Sequence, residues 1–547
     1  MKSSSRAFTP SLLIFVVSFL FLFLSMSRIP IIHDEGFTVT AAMRIMAGQM
    51  PHRDFYVNYG PAQFYLLAGL FKVFGRYLIV ERISDTVLKS ALIGLLFAIV
   101  SPYCSRLLAF AACGAALLWV SSLDVYASIL QPVCLLNLIC GFLILPAFTD
   151  RISNRRLFAI GALSGLGVLF RYDTGAVIVL IGAVCLLVAA WVRDSPSVNP
   201  GKVLAKTACV YFLGCLAVVL PALAYFLSVS PMHGFVFDII EYPSKNYHKG
   251  RNLPFPPLHL RHLGDLGVYI PVLIGLLALL VAVAQFRRKG NYLQELAFSL
   301  RSEGWRAFLL IFGAITTLMY LKGIVRVTPS HMYLGIIPSL LLIAVLLERR
   351  SQLPASLRMC VFVLAVLSVV APIGSTLTLL KRRVLLHDSL VFSDKRNALE
   401  SSWCSIPDAL TKGLCFRPDD GRIQLIQFLE THTRPDQTLL VANSRNDIVF
   451  ASDSMMYFST GRMPATHWSE FDPGLQNSIP IQVEMTHELD ANQTPYIVLD
   501  SEFETGPHEP NDSDRSSGVL ILDKYIQSKY SMIGSFGDFT VWQRKHG

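Results

Sequence analysis

Long apolar runs separated by short polar stretches make up about the first 380 residues of the chain. A helix needs about 20 apolar residues to cross roughly 30 Å of hydrocarbon. The runs that meet or approach this length lie at Ser11–Ile29, Thr86–Val100, Leu107–Ser121, Val125–Phe148, Leu157–Phe170, Gly175–Val192, Thr207–Val229, Leu266–Phe286, Ala307–Leu321, Met332–Leu347 and Arg358–Leu380. The pattern predicts a mainly α-helical, polytopic membrane bundle of about eleven transmembrane helices.

The pattern changes from about Leu385 onwards. Gly421–Thr431 has the periodicity of a helix, whereas Gln437–Ala442, Pro495–Asp500 and Asp538–Arg544 are short apolar runs typical of strands. Alternating helices and strands favour a small α/β domain. We therefore predict two domains, a transmembrane module over residues 1–384 and an α/β domain over residues 385–547.

Composition and charge support the membrane assignment. Of the 547 residues 53% are hydrophobic and 16% are charged, against about 25% charged in ordinary soluble domains. The net charge of +9 comes with basic residues in the short loops between apolar runs, which is the positive-inside bias and not a nucleic-acid-binding stripe. The bias predicts a cytoplasmic N-terminus and, with an odd number of helices, an extracytoplasmic (periplasmic) C-terminal domain. No small-x-small cleavage site follows the first apolar run, so the first helix is expected to be uncleaved. We expect a protein of the cell inner membrane with no nucleic-acid partner.

An adjacent pair of acidic residues, Asp34-Glu35, directly follows the first apolar run. Acidic residues at a membrane edge are costly to desolvate and often serve chemistry. A carboxylate there could take the proton from an attacking hydroxyl. The alternative is structural, because an acidic residue also stabilises the positive end of a helix dipole.

The residues after this pair continue a recognisable pattern. Met43–Gly48 predicts an amphipathic helix on the membrane surface and Pro51–Phe55 a turn, and a second short helix begins near Tyr59. Two interfacial helices would form a platform between lipid and water, although an ordinary aromatic belt would also explain the rings. Candidate substrate-binding residues in this stretch are Arg53, Asp54 and Tyr59.

The whole stretch resembles the first extracytoplasmic loop of GT-C glycosyltransferases. The resemblance is to the bacterial branch of protein mannosyltransferase-like, lipid A aminoarabinose transferase-like and lipopolysaccharide-core galacturonosyltransferase-like proteins. It is carried by Asp34-Glu35-Gly36, Arg44, Gly48, Pro51, Arg53-Asp54-Phe55, Tyr59-Gly60-Pro61 and Leu70-Phe71-x-x-Phe74-Gly75. It implies that Asp34 is the catalytic base and that Glu35 helps to bind substrate. The aminoarabinose transferases have a basic residue where this chain has Tyr59-Gly60-Pro61, so that donor is not expected here.

A polyprenyl-phosphate donor needs cations around its phosphate. Arg171, beside Asp173 at the outer end of a predicted span, matches a basic position of related proteins, although an arginine that snorkels to the interface would look the same. A short outer loop adds Lys322, Arg326 and His331, of which arginine suits bidentate phosphate contacts. Weaker candidates in the long outer loop are Lys245 and His248.

The cysteines and the absent motifs limit cofactor chemistry. Eight of the ten cysteines lie in or beside apolar runs, where cysteine behaves as a small hydrophobic residue. The other two, Cys404 and Cys415, are a disulfide candidate if their domain is outside the cytoplasm. No zinc spacing, phosphate loop or nucleophile elbow occurs. We predict no cofactor, and no set of residues in the sequence demands a metal.

These patterns together predict an inverting membrane glycosyltransferase. It would transfer a sugar from a polyprenyl-phosphate carrier in the membrane lipid to a glycan, lipid or protein acceptor of the cell envelope. Two alternatives stay open, a transporter or flippase for a lipid-linked sugar and a non-catalytic assembly subunit. Paired internal repeats, which transporters often have, are not evident in the sequence.

Overall fold

The computed structural model describes residues 4–123, 130–194, 200–258, 262–284, 292–385, 416, 421–449, 451–504 and 508–545. Its helices are α1 Ser4–Leu24, α2 Asp34–Met46, α3 Ala62–Phe74, α4 Leu78–Val100, α5 Arg106–Leu123, α6 Gln131–Ile144, α7 Asn154–Phe170, α8 Tyr172–Asp194, α9 Pro200–Val229, α10 Met232–Val236, α11 Tyr242–Gly250, α12 Ile270–Val283, α13 Tyr292–Ser302, α14 Gly304–Gly323, α15 Tyr333–Glu348, α16 Ala355–Leu385, α17 Arg422–His432, α18 Met455–Thr460, α19 Ile479–Ala491 and α20 Ile521–Lys529. The strands are β1 Thr438–Asn443, β2 Met463–Pro464, β3 Tyr496–Asp500, β4 Tyr530–Phe536 and β5 Phe539–Arg544.

A helix is present at each of the eleven predicted spans. Within the described residues, eight helices are long and apolar enough to cross a membrane, and three further apolar helices are shorter. The helix α7 belongs to neither group; it has 17 residues, Ser153 caps its start, and the extended Arg171 follows its end. The predicted fold class, a mainly α membrane bundle with a small C-terminal α/β domain, is confirmed. The side of the membrane on which the domain lies stays a prediction.

The C-terminal sheet has five strands in the order β2-β1-β3-β5-β4. The first three strands are parallel, and β5 pairs antiparallel with both β3 and β4. Successive side chains of β1 enter different cores, since Leu439 and Val441 pack in one cluster and Leu440 and Ala442 in the other. Both faces of the sheet are therefore covered, which explains why β1 reads as a continuous apolar run.

The backbone contacts divide the chain into two compact units. One contains residues 1–23, 86–225 and 255–380, and the other contains residues 24–85, 226–254 and 381–547. The unit with the sheet is thus larger than the predicted domain 385–547. It also includes the loop that carries Asp34-Glu35 and part of the long loop after α9. Hydrophobic pattern alone cannot show this, because it does not report which polar loops fold onto a distant domain.

Two helices of the other unit, α7 and α9, pack closely where each has a glycine. A β-carbon at Gly161 would lie 2.0 Å from the carbonyl oxygen of Tyr211, and one at Gly214 would lie 2.2 Å from that of Phe158. The helices α7 and α9 can approach this closely only because both positions are glycine. Small residues have the same role at many helix contacts within membranes.

Candidate functional site

The two acidic residues of the motif have opposite environments. The helix α2 begins at Asp34, whose side chain is exposed, whereas Glu35 is 0% exposed. Neighbouring residues of a helix point about 100° apart, so one can face solvent while the next faces the protein. Among the described residues no hydrogen bond or ion pair is recorded for the Asp34 carboxylate. Asp34 is therefore available to a substrate, whereas Glu35 is held by the protein.

The partner of Glu35 is Arg82, at the start of α4. The Arg82 Nε donates to Glu35 Oε1 at 2.6 Å and its Nη2 donates to Oε2 at 2.7 Å, and both side chains are fully buried. The same guanidinium donates to the carbonyl oxygens of Ser27 at 2.5 Å and Ile29 at 2.9 Å, and the amide of Ile31 donates to Glu35 Oε2 at 2.8 Å. This ion pair fixes residues 27–31 and the first turn of α2, and thus the position of Asp34.

Sequence analysis missed Arg82. A signal was present, because charged residues recur along the first turns of an otherwise apolar helix at Glu81, Arg82, Asp85 and Lys89. All four are at most 5% exposed. Ionisable residues on a membrane-spanning helix are almost always paired or functional.

Another face of α2 packs onto the α/β domain. A β-carbon on Gly36 would lie 2.4 Å from the amide nitrogen of Met455, and Thr40 Oγ1 donates to the carbonyl of Ser454 at 2.9 Å. One turn further on, Arg44 donates at 3.1 Å to both the carbonyl of Thr466 and the hydroxyl of Ser469. Burial lowers the pKa of Arg44 to about 10. The motif residues Gly36 and Arg44 therefore hold α2 against the α/β domain.

A buried carboxyl group from the α/β domain lies close to Asp34. Glu470 is 4% exposed, and its Oε2 has no hydrogen-bond partner in the described part of the chain. Burial, with the negative charges of Asp472 and Asp34 nearby, raises the pKa of Glu470 well above its usual range. The segment is held near α2 through Ser452, whose carbonyl contacts His33 Nδ1 at 3.3 Å and whose hydroxyl accepts from the amide of Phe471 at 3.2 Å. Nothing in the sequence pattern pointed to Glu470.

The turn after α2 is fixed by a buried histidine. His52 has a positive φ of 65°, and its Nδ1 lies 2.8 Å from Asp238 Oδ2 in the π-helical turn Phe237–Glu241. Burial raises the pKa of Asp238, although the contact with His52 acts in the opposite direction. The pair connects the turn to the long loop that follows α9.

The other predicted residues of this unit lie on its surface or pack against neighbouring side chains. Arg53 and Asp54 form a partly exposed ion pair of 2.6 Å, and the Tyr59 ring lies 6.1 Å from that of Phe37. Lys245 pairs with Glu241 at 3.1 Å on the surface. The side chain of His248 lies outside the described part of the structure, as do Cys404 and Cys415. Substrate binding by these residues and the disulfide stay predictions.

The predicted cations of the other unit are partly clustered. Asp173 Oδ1 accepts from Arg171 Nε at 2.9 Å, and its Oδ2 lies 3.4 Å from Lys322 Nζ. Two cations therefore contact the same carboxylate. The turn after α14 holds Arg326 and His331, whose Nδ1 contacts Thr328 Oγ1 at 2.7 Å. Sequence analysis did not foresee that Asp173 joins Lys322 to Arg171.

Within the described residues no group of three or more histidine, cysteine or acidic side chains is arranged to hold a metal ion. The structure does not test the prediction that no cofactor is needed. Phosphate binding by Arg171 and Lys322 also stays a prediction, and these residues belong to a different unit from Asp34.

The chain shares its fold with two solved structures, both of ArnT from Cupriavidus metallidurans. The complex with undecaprenyl phosphate has a TM-score of 0.54, and the apo state has 0.55. Each is 16% identical in sequence, and the likeness covers 98% of this chain and 98% of ArnT. No protein-family model and no protein of curated function matches the chain. At this identity the likeness establishes the fold alone.

Proposed function

We propose that this chain is an inverting membrane glycosyltransferase that takes its sugar from a polyprenyl-phosphate carrier. The observation that carries the proposal is the state of Asp34, an exposed carboxylate with no recorded partner among the described residues, at the start of a helix fixed by buried contacts. It is supported by a fold shared over 98% of the chain with a protein solved bound to undecaprenyl phosphate.

The chemistry would be a single displacement. The acceptor hydroxyl attacks the anomeric carbon while Asp34 takes its proton, and the bond from that carbon to the phosphate oxygen breaks. The polyprenyl phosphate leaves with the bonding electrons. Arg171 and Lys322, which both contact the carboxylate of Asp173, would stabilise the developing phosphate charge.

Glu35 would act as a positioning residue in this reaction. Its carboxylate already binds Arg82 and the amide of Ile31, so it orients the start of α2. The acceptor would be a glycan, lipid or protein of the cell envelope. The reaction would occur at the extracytoplasmic face of the inner membrane, with the N-terminus in the cytoplasm and the α/β domain outside it.

The test compares Asp34→Asn with the wild type in a deletion strain whose envelope glycans are analysed by mass spectrometry. We expect the wild type to restore a missing sugar and Asp34→Asn not to restore it, although the purified variant still binds undecaprenyl phosphate. Asp436→Asn is the matched control, since Asp436 is an exposed acidic residue that pairs with Arg434 on the surface.

The two alternative functions, a transporter and an assembly subunit, predict different results for Asp34→Asn. A transporter with Asp34→Asn keeps some flux of lipid-linked sugar, and an assembly subunit with this change restores the glycan fully. Either result would exclude Asp34 as the base.

A further inference from the structure

The C-terminal sheet contains a topological switch point. Its strand order places β2 on one side of β1 and β3 on the other, and all three strands are parallel. The connections leaving the carboxyl ends of β1 and β3 therefore diverge and leave a crevice between them. In open α/β sheets, ligands bind in this crevice.

A cavity is present at this place in the α/β domain. Its wall includes Asn443, the last residue of β1, and Asp500, the last residue of β3, which are register partners in the sheet. The volume is about 190 Å³, below the roughly 300 Å³ at which pockets for drug-sized ligands begin. The cavity therefore suits a molecule of about one small ring.

The side chain of Asp500 has an unused acceptor. It is 3% exposed, and its Oδ1 accepts from the amide of Glu502 at 2.8 Å. Its Oδ2 is buried and has no hydrogen-bond partner in the described part of the chain. Burial, with the nearby charge of Asp453, raises the pKa of Asp500 to about 7. A buried acceptor without a partner is costly, and Asp500 is one of the residues that line the cavity.

The other lining groups indicate the chemistry of the ligand. Glu504 and Asp514 add further acceptors, whereas the cations Arg445 and His508 pair with Asp447 at 2.8 Å and with Asp514 at 3.3 Å. Ile448 supplies an apolar patch. A sugar ring offers hydroxyl donors at its edge and C–H groups on its face, which fits this combination.

We propose that the α/β domain binds a monosaccharide-sized carbohydrate at the carboxyl ends of β1 and β3, with Asp500 accepting a hydrogen bond from a sugar hydroxyl. None of the lining residues belongs to the site around Asp34 as predicted from the sequence. The proposal does not depend on transferase activity.

Ligand-observed saturation-transfer NMR on the purified full chain in lipid nanodiscs tests this proposal. The probes are free glucose, galactose, mannose, arabinose and glucosamine. We expect at least one neutral sugar to bind the wild type. Asp500→Asn should weaken this binding at least about tenfold, since hydrogen bonds to charged groups are the strongest polar contacts. Ile448→Trp should abolish the binding by filling the cavity.

Asp436→Asn is the matched control and should bind sugar as the wild type does, and Asp34→Asn should also retain binding. The proposal is overturned if no sugar of the panel binds, or if binding survives both Asp500→Asn and Ile448→Trp. A signal from glucosamine alone would mean that the site recognises an ammonium group and would also overturn it. A signal that is lost in Asp34→Asn but kept in Asp500→Asn would come from the site around Asp34. This result would also overturn the proposal.

Discussion

Removal of the Glu35 carboxylate tests whether a buried ion pair positions the candidate base. Glu35→Ala removes the carboxylate that pairs with the fully buried Arg82 guanidinium, and it also removes the acceptor of the Ile31 amide. Removing one partner of a buried ion pair costs about 3–5 kcal/mol. The lost acceptor adds about 1–3 kcal/mol if no water replaces it. We therefore expect a marked fall in stability, concentrated in residues 27–35.

Hydrogen exchange of the purified protein in nanodiscs measures the loss of stability around residues 27–35, and a thermal melt measures the loss for the whole protein. Glu35→Ala should lose amide protection around Ile31 and transfer activity together, whereas binding of undecaprenyl phosphate should change little. The double variant Glu35→Ala/Arg82→Ala should be less destabilised than the sum of the two single variants, because the residues are in direct contact. The pair Arg434–Asp436 is the control, since both side chains are exposed and their removal should have no measurable effect.

Unchanged protection around Ile31 in Glu35→Ala would refute the positioning role. Additive effects of the two substitutions would refute the energetic coupling of Glu35 with Arg82. Lost activity with full protection would instead mean that Glu35 contacts the substrate directly, as the family resemblance implies.

Three further predictions concern other parts of the molecule. Gly36→Ala should detach α2 from the α/β domain, because its new β-carbon would lie 2.4 Å from the Met455 amide nitrogen; a wild-type melting temperature would contradict this close contact. Lys322→Gln should weaken binding of undecaprenyl phosphate about tenfold through the lost charge beside Asp173, and unchanged affinity in a titration would exclude Lys322 from the phosphate site. Because folding raises the pKa of Asp500 to about 7, the protein should lose stability as pH rises from about 4 to above 7. At pH 8 the free energy of unfolding of Asp500→Asn should therefore exceed that of the wild type by on the order of a few kcal/mol, and at pH 4 the two should be equal. Equal melting curves at pH 8 would contradict the raised pKa.

The sequence alone determined the elements whose signal is local. Each predicted span coincides with a helix, and the predicted strands at 437–442, 495–500 and 538–544 correspond to β1, β3 and β5. These succeed because the length and period of an apolar run reflect the environment of the same few residues. The sequence alone also singled out Asp34-Glu35, because an acidic pair beside an apolar helix is costly to desolvate.

The tertiary structure decided which residue has which role. Asp34 and Glu35 are alike in residue type, and only the position of Arg82, 47 residues away, shows that one is held and the other is exposed. The approach of Glu470 to Asp34 and the cavity between Asn443 and Asp500 likewise depend on segments far apart in the chain. Such placements are set by the packing of whole elements, and the energy that selects them is spread over many contacts. No local pattern of hydrophobic and polar residues records it.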